Sequence, residues 1–328
     1  MPMTQKKPEV REALKSSPQR KELKQVARQV AAKEAVKGVG YAAGAEMLKP
    51  KAQPAPREKV GGQPEGPLDD PKMQPDAKTT HSYGDLNPAY GAVKGKPFVR
   101  GEDDKSDIAM DDVSQGRLGD CYFVASLAAI ADKNPEAIRA MITDHGDGTY
   151  TVRFHEGGAV KVDNQFPLKD GNPAYAGLGD VGVDGPELWV ALVEKAWAKL
   201  KGGYEMIRGS KVKMTSSDAM EAMTGNKTTT YYTSSTSDEV LLKALDAACQ
   251  KGLPATAGSY DKDRFDETTL ADMSKKGVHC NHAYAIVGVD VASKTVELYN
   301  PWGKETTRPK LSMEEFRKYY QVVHINGR

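Results

Sequence analysis

Residues 115 to 131, QGRLGDCYFVASLAAIA, constrain the fold of this chain more than any other stretch. Gly116 and Gly119 permit a tight turn, and the Ala/Leu-rich run from Tyr122 to Ala131 has the spacing of a buried helix. Cys121 falls at the junction, in the first turn of that helix. The helix dipole there favours thiolate over thiol. Gln115 lies six residues upstream, where its amide can fold back toward the sulfur. A thiol at a helix start with an amide donor beside it suits acyl-transfer chemistry, although a lone cysteine before such a helix is more often a small core residue.

The groups that such a thiol needs occur near the C-terminus. HAYAIVGVD (282–290) and KTVELYNPWG (294–303) alternate as strands, with a turn from Asp290 to Lys294. His282 lies ten residues before the turn centre at Ala292 and Asn300 eight after it, so the two side chains sit nearly opposite each other. Pro301 ends the ladder. An asparagine carbonyl accepts one imidazole N–H and leaves the other nitrogen to face a thiol, and Trp302 covers that bond.

QGRLGDC, HAY and NPWG, in this order, resemble the protease core of calpains, the papain-like C2 cysteine peptidases. FPLKDGNPAY and the segment ELWVALVEKAWAKLKGGYEMIRG (187–209) resemble the calpain stretch between those blocks, so the likeness runs over about residues 97 to 303. It implies an α+β, papain-like fold of calpain type, of bacterial type, with a helix-rich half, a β-rich half and an active cleft between them. It further implies a cysteine endopeptidase acting on protein or peptide substrates. Cys121 is then the nucleophile, His282 the base and acid, Asn300 its orienting partner and Gln115 an oxyanion donor with the Cys121 N–H. Gly209, Asn281 and Trp302 are the implied substrate-binding positions.

The chain also departs from the pattern. Tyr122 stands where calpains have Trp, and Asn281 stands where they have Gly. KETTRPKLS follows NPWG in place of a Glu-Trp-x-Gly pattern, so the second calcium loop of animal calpains is expected to be missing. Asp112, nine residues before Cys121, and Glu194 are weak calcium candidates, and no cofactor is required. The simpler reading makes Asp111 and Asp112 a solvated element start and Glu194 a surface pair. A transglutaminase or amidase, or a non-catalytic calpain-like module, are the alternative classes.

Charge and composition bear mainly on the N-terminal region. Residues 1 to 80 hold 16 Lys and Arg against 10 Asp and Glu, which is +6; the whole chain is +1, so the rest is −5. Pro8 to Leu48 reads as a weakly amphipathic helix and Pro50 to Pro75 as a proline-rich linker. The expected division is a basic arm, 1–80, and a catalytic domain, 81–328, split near 208 into helical and β-rich parts. The arm inhibits in cis, binds a partner or directs delivery, unless it is a disordered tail. The near-zero net charge gives no argument for nucleic acid, no apolar run approaches the roughly 20 residues of a membrane span, and the start lacks a signal-peptide core. Three cysteines without a spacing pattern point to reduced thiols. The expected location is cytoplasmic, or exported without a classical signal peptide. His279, Cys280 and His282 look like metal ligands, but on a strand the two histidines would face opposite sides.

Overall fold

The apolar run after Asp120 forms helix α1, Cys121–Lys133, whose residues from Tyr122 to Ala131 are all buried. Its small alanines let it lie against neighbouring elements on several sides. The structure, a computed structural model, describes residues 68–72, 88–101, 106–209 and 213–327. These belong to a unit that spans Gln63–Arg328. The helix and most of the linker expected within the arm lie outside the described residues.

Around α1 the first half places α2 (Pro135–Met141) and α3 (Trp189–Lys201). It also holds strands β1 (Ala89–Ala92), β2 (Ile142–Asp144), β3 (Thr149–Phe154), β4 (Gly158–Asp163), β5 (Gln165–Lys169) and β6 (Asn172–Pro173). They form two small antiparallel sheets, β1-β5-β6 and β2-β3-β4, so this half is mixed rather than helical. A ribbon of two-residue strands, β7 (Val181–Gly182) and β8 (Gly185–Pro186), precedes α3. Trp197 stacks on Phe123 of α1 at 5.2 Å and meets Phe154 of β3 at 5.2 Å, which locks helix, helix and sheet together. Helix α3 ends at Gly202, where a φ of 93° suits a residue without a Cβ.

The second half is built on a six-stranded antiparallel sheet. In chain order its strands are β9 (Thr228–Tyr232), β10 (Ala255–Ser259), β11 (Ala283–Asp290), β12 (Thr295–Tyr299), β13 (Lys310–Ser312) and β14 (Tyr320–Asn326). The spatial order is β13-β12-β11-β10-β14-β9. Helix α4 (Ser216–Thr224), which opens on a Thr215/Asp218 capping box, buries its apolar residues in the α1 core, and α5 (Asp238–Lys251) opens on Ser237. Helices α6 (Glu267–Lys275) and α7 (Met313–Tyr319) complete this half. Tyr284, Leu298, Phe316 and Tyr320 are core residues on this side, separate from the α1 core.

The halves meet where α1 packs on β10 and β11. Residues 111–115 tie them a second time. Arg308 pairs with Asp111 at 2.6 Å, Tyr299 Oη donates to Val113 O at 2.8 Å, and Gln115 N donates to Pro301 O at 2.7 Å.

The segment Leu68–Lys72, which the sequence reading assigned to the arm, lies on the body. Lys195 of α3, 1% exposed, pairs with Asp70 at 2.5 Å and Asp163 at 2.6 Å. Tyr90 Oη donates to Pro71 O at 2.6 Å, and Tyr204 N to Lys72 O at 3.1 Å.

Candidate active site

Cys121 is the first residue of α1, and Asp120 is its N-cap; the Asp120 carbonyl accepts from Phe123 N at 2.8 Å and Val124 N at 3.2 Å. The thiol faces the backbone N–H groups of Ala283, Tyr122 and Cys121 itself. The expectation of a thiol lowered by the helix dipole is not met. Burial pushes the Cys121 thiol up to about 11; those three N–H groups pull it down, and the Asp120 carboxyl beside it pushes it up again.

The hairpin of β11 and β12 sets the second group. Ala285 pairs with Tyr299, and a bulge lies between Ile286 and Gly288. Continuing that register puts Asn300 two positions from His282. The His282 ring bridges the offset, with Nε2 2.9 Å from Asn300 Oδ1. Asn300 Oδ1 also accepts from Trp302 N at 3.1 Å, so two donors fix the amide with its oxygen toward the ring. Nε2 therefore carries the proton, and Nδ1 is left as the basic nitrogen. His282 is buried, which lowers its pKa to about 4; the Asn300 bond raises it, and His279 lowers it further. In this state the imidazole and the thiol are both neutral. Among the described contacts they make no hydrogen bond to each other.

The turn before His282 departs from a strand. Asn281 adopts φ 50°, in the left-handed region that Asn and Gly tolerate best, and its N–H donates to Tyr260 O at 2.9 Å. The His279 and His282 rings therefore do not point to opposite sides. They lie 6.3 Å apart, and Trp302 sits 4.3 Å from His279 and 4.7 Å from His282. They form an aromatic cluster; among the described residues no group of three or more His, Cys, Asp or Glu is arranged to hold a metal. Trp302 is 38% exposed, which leaves one face open beside His282.

Gln115 stands across the turn from Cys121. Its Nε2 donates to Leu118 O at 2.7 Å and Asp120 Oδ1 at 3.2 Å rather than to the sulfur. Gly209 N donates to Gly119 O at 3.0 Å, and a Cβ on Gly209 would stand 3.2 Å from the Tyr122 ring. Gly209 thus lines the turn that carries the cysteine.

The calcium candidates are not solvent-facing. Asp112 is 3% exposed and Glu194 2%. Asp112 Oδ2 accepts from Ala109 N at 2.6 Å and Trp189 Nε1 at 3.2 Å. Its carboxyl partner is Glu187, not Glu194. Glu187 Oε1 accepts from Val99 N at 2.9 Å, and among the described residues Oε2 has no hydrogen-bond donor facing it. Burial and Asp112 push the Glu187 carboxyl up to about 9. Two buried carboxyls supply only part of the six or more oxygens that calcium takes. Asp112 thus meets the Glu187 carboxyl, while the Glu194 carboxyl faces Asp120.

Asp120 and Glu187 escaped the sequence reading, and a signal for buried charge was present. Helix α3 and its N-cap Leu188 line up Leu188, Leu192, Ala196 and Leu200 on one face, with Trp189, Val193 and Trp197 beside it. A helix that is apolar around most of its circumference is buried, so Glu194 and Lys195 must be buried with it.

A thiol at a helix start and a histidine hydrogen-bonded to an asparagine, where two halves meet, are groups of the kind on which papain-like thiol chemistry is built. Residues 102–322 match the model of the calpain family cysteine protease. The chain is 33% identical over 220 residues to the calpain-type cysteine protease DEK1 of Zea mays, covering 60% of this chain and 9% of that protein. It is 32% identical over 209 residues to calpain clp-4 of Caenorhabditis elegans (59% and 27% covered) and 28% identical over 229 residues to human calpain-9 (65% and 30%). The chain belongs to the calpain family of cysteine proteases. It spans less than a third of the length of these curated relatives.

Proposed function

We propose that the protein is a cysteine endopeptidase in which Cys121, His282 and Asn300 act as a triad on protein substrates. The bond from His282 to Asn300 beside the start of α1 carries this reading. Because thiol and imidazole begin neutral, His282 Nδ1 takes the Cys121 proton as sulfur attacks the scissile carbonyl. An apo geometry without a Cys–His bond is compatible with this, since such bonds commonly tighten when substrate binds. The carbonyl oxygen becomes an oxyanion, stabilised by the Cys121 N–H and by Gln115 once its Nε2 turns from Asp120. His282 returns the proton to the leaving amine, a thioester remains, and His282 then deprotonates water for its hydrolysis. The face of Trp302 beside His282, the cysteine turn that Gly209 lines and the turn at Asn281 border the substrate.

Calcium, if held by Asp112 and Glu187 with further oxygens, would replace the proton that the raised Glu187 carboxyl carries and stiffen residues 111–115, which carry Gln115. The basic arm is proposed to serve delivery or partner binding.

The test is incubation of the full chain and its Cys121→Ala variant with a protein substrate, followed by mass spectrometry. New termini only with the native chain are the expected result. Cross-links or deamidation would assign acyl transfer instead, and full proteolysis by Cys121→Ala would remove the triad.

A further inference from the structure

Asp120 and Glu194 are both buried, at 0% and 2% exposure, and their carboxyl groups meet. Two carboxylates in such a contact cannot both be ionised, so one proton lies between them. The other contacts say where it belongs. Both oxygens of Glu194 face Ala176 N, at 3.0 and 3.1 Å. Asp120 Oδ1 accepts from Gln115 Nε2. Asp120 Oδ2 has no other hydrogen-bond partner among the described residues. A proton carried by Glu194 and donated to Oδ2 satisfies that oxygen and leaves Oδ1 for Gln115. Burial pushes both carboxyls up, which is the direction a shared proton requires.

Glu194 also grips the far side of the same turn. Residues 174–177 run along 114–117, with Arg117 N donating to Ala174 O at 2.9 Å and Gly177 N to Ser114 O at 2.7 Å. Gly116 is wedged against this segment so closely that a Cβ would fall 1.8 Å from Tyr175 O. Glu194 holds the segment through Ala176 N and the turn through Asp120. Gln115, fixed by its backbone to Pro301 O, lies between the two grips.

We propose that Asp120 and Glu194, joined by one shared proton, are a positioning pair that aims the side-chain amide of Gln115 at the nucleophile. This rests on the reading of Gln115 as an oxyanion donor. Neither carboxyl touches the substrate. The pair acts through the amide, and the Asp120 bond, the longer of the two that Nε2 makes, is the one exchanged for the oxyanion.

The experiment measures kcat and KM on a peptide substrate for Gln115→Ala, Glu194→Ala, Glu194→Gln and the double Gln115→Ala/Glu194→Ala variant. Thermal unfolding and Cys121 alkylation by iodoacetamide are measured alongside. A glutamine at 194 donates to Asp120 and accepts from Ala176 N as the protonated acid does, so it should stay within about threefold of the native kcat. Glu194→Ala should lose kcat by about 10²-fold at similar KM, as loss of one preorganised donor does. The double variant should be no slower than Gln115→Ala, because both remove the same donor. Alkylation needs no oxyanion and should not change. If Glu194→Ala does not fold, Glu194→Met keeps the length without the proton, and the same losses are expected.

A double variant slower than Gln115→Ala by the full Glu194→Ala factor would overturn the proposal, because Glu194 would then act elsewhere. Native kcat in both Glu194→Ala and Glu194→Met would also overturn it. Native kcat in Gln115→Ala would instead remove the oxyanion reading beneath it.

Discussion

Lys195 is the most deeply buried cation among the described residues, and one of its two carboxylate partners comes from a segment that the sequence alone assigns to the arm. Asp70→Ala removes that partner and leaves the ammonium with Asp163 Oδ1 at 2.6 Å and Gln165 O at 2.5 Å. Breaking a fully buried ion pair costs about 3–5 kcal/mol. Here one carboxylate remains, and the Asp70 side chain is 24% exposed, so about 2 kcal/mol is the working value. For a unit of this size that corresponds to a fall in Tm of about 4–8 °C. Differential scanning calorimetry of the native chain, Asp70→Ala, Lys195→Met and the double variant reads it directly. In the Lys195→Met background Asp70→Ala should cost little, because no buried charge is left to strand. Equal Tm values for the native chain and Asp70→Ala, or strictly additive losses in the double variant, would refute the reasoning. The same contact bears on where the catalytic body starts. A chain beginning at residue 81 lacks Asp70, Pro71 and Lys72, and should unfold at a lower temperature than one beginning at 63.

Asn300→Ala should lower kcat by roughly 10²-fold or more, since His282 loses the acceptor that selects its tautomer; steady-state kinetics on a peptide substrate, with an unchanged melting curve, checks it. His324 lies in β14 with Nδ1 3.0 Å from Thr230 Oγ1, and burial lowers its pKa to about 4 from an ordinary value of 6.5. The unfolded chain binds that proton below 6.5 while the folded chain does not until about 4, so this contribution to stability is complete above 6.5 and is lost as pH falls through that window. His324→Gln should therefore flatten the pH dependence of urea unfolding between those values by up to about 1.4 kcal/mol per pH unit, and an unchanged slope would contradict it. Activity in excess chelator should persist, with millimolar calcium giving a modest gain that Glu187→Gln abolishes; complete loss in chelator, rescued by calcium and not magnesium, would show that the cation assembles the site.

The residues that were legible in sequence are those whose placement is local. The turn from Asp290 to Lys294 sets the register of β11 against β12, and the register sets His282 against Asn300. The apolar run after Cys121 specifies α1 by periodicity alone. The turn at Asn281 was not legible in this way, because a single residue at φ 50° reverses the side on which His279 lies. Alternation, which assumes an unbroken strand, cannot register such a reversal.

The buried carboxyls failed for a different reason. Asp120 meets Glu194 across 74 positions, and Asp112 meets Glu187 across 75. No periodic pattern links positions so far apart, and an isolated acid is by default a surface residue. Helix α3 makes both meetings intelligible together with the Asp70 contact. Glu187 lies just before its first turn, Glu194 in its middle faces the nucleophile turn, and Lys195 beside it faces the segment Leu68–Lys72. A helix sheathed in Leu, Trp and Ala excludes water from each of these charges, so each must find a partner or a proton within the fold. The apolar face that marks α3 as core thus also forces the pairings that tie the turn of Cys121 to the rest of the body.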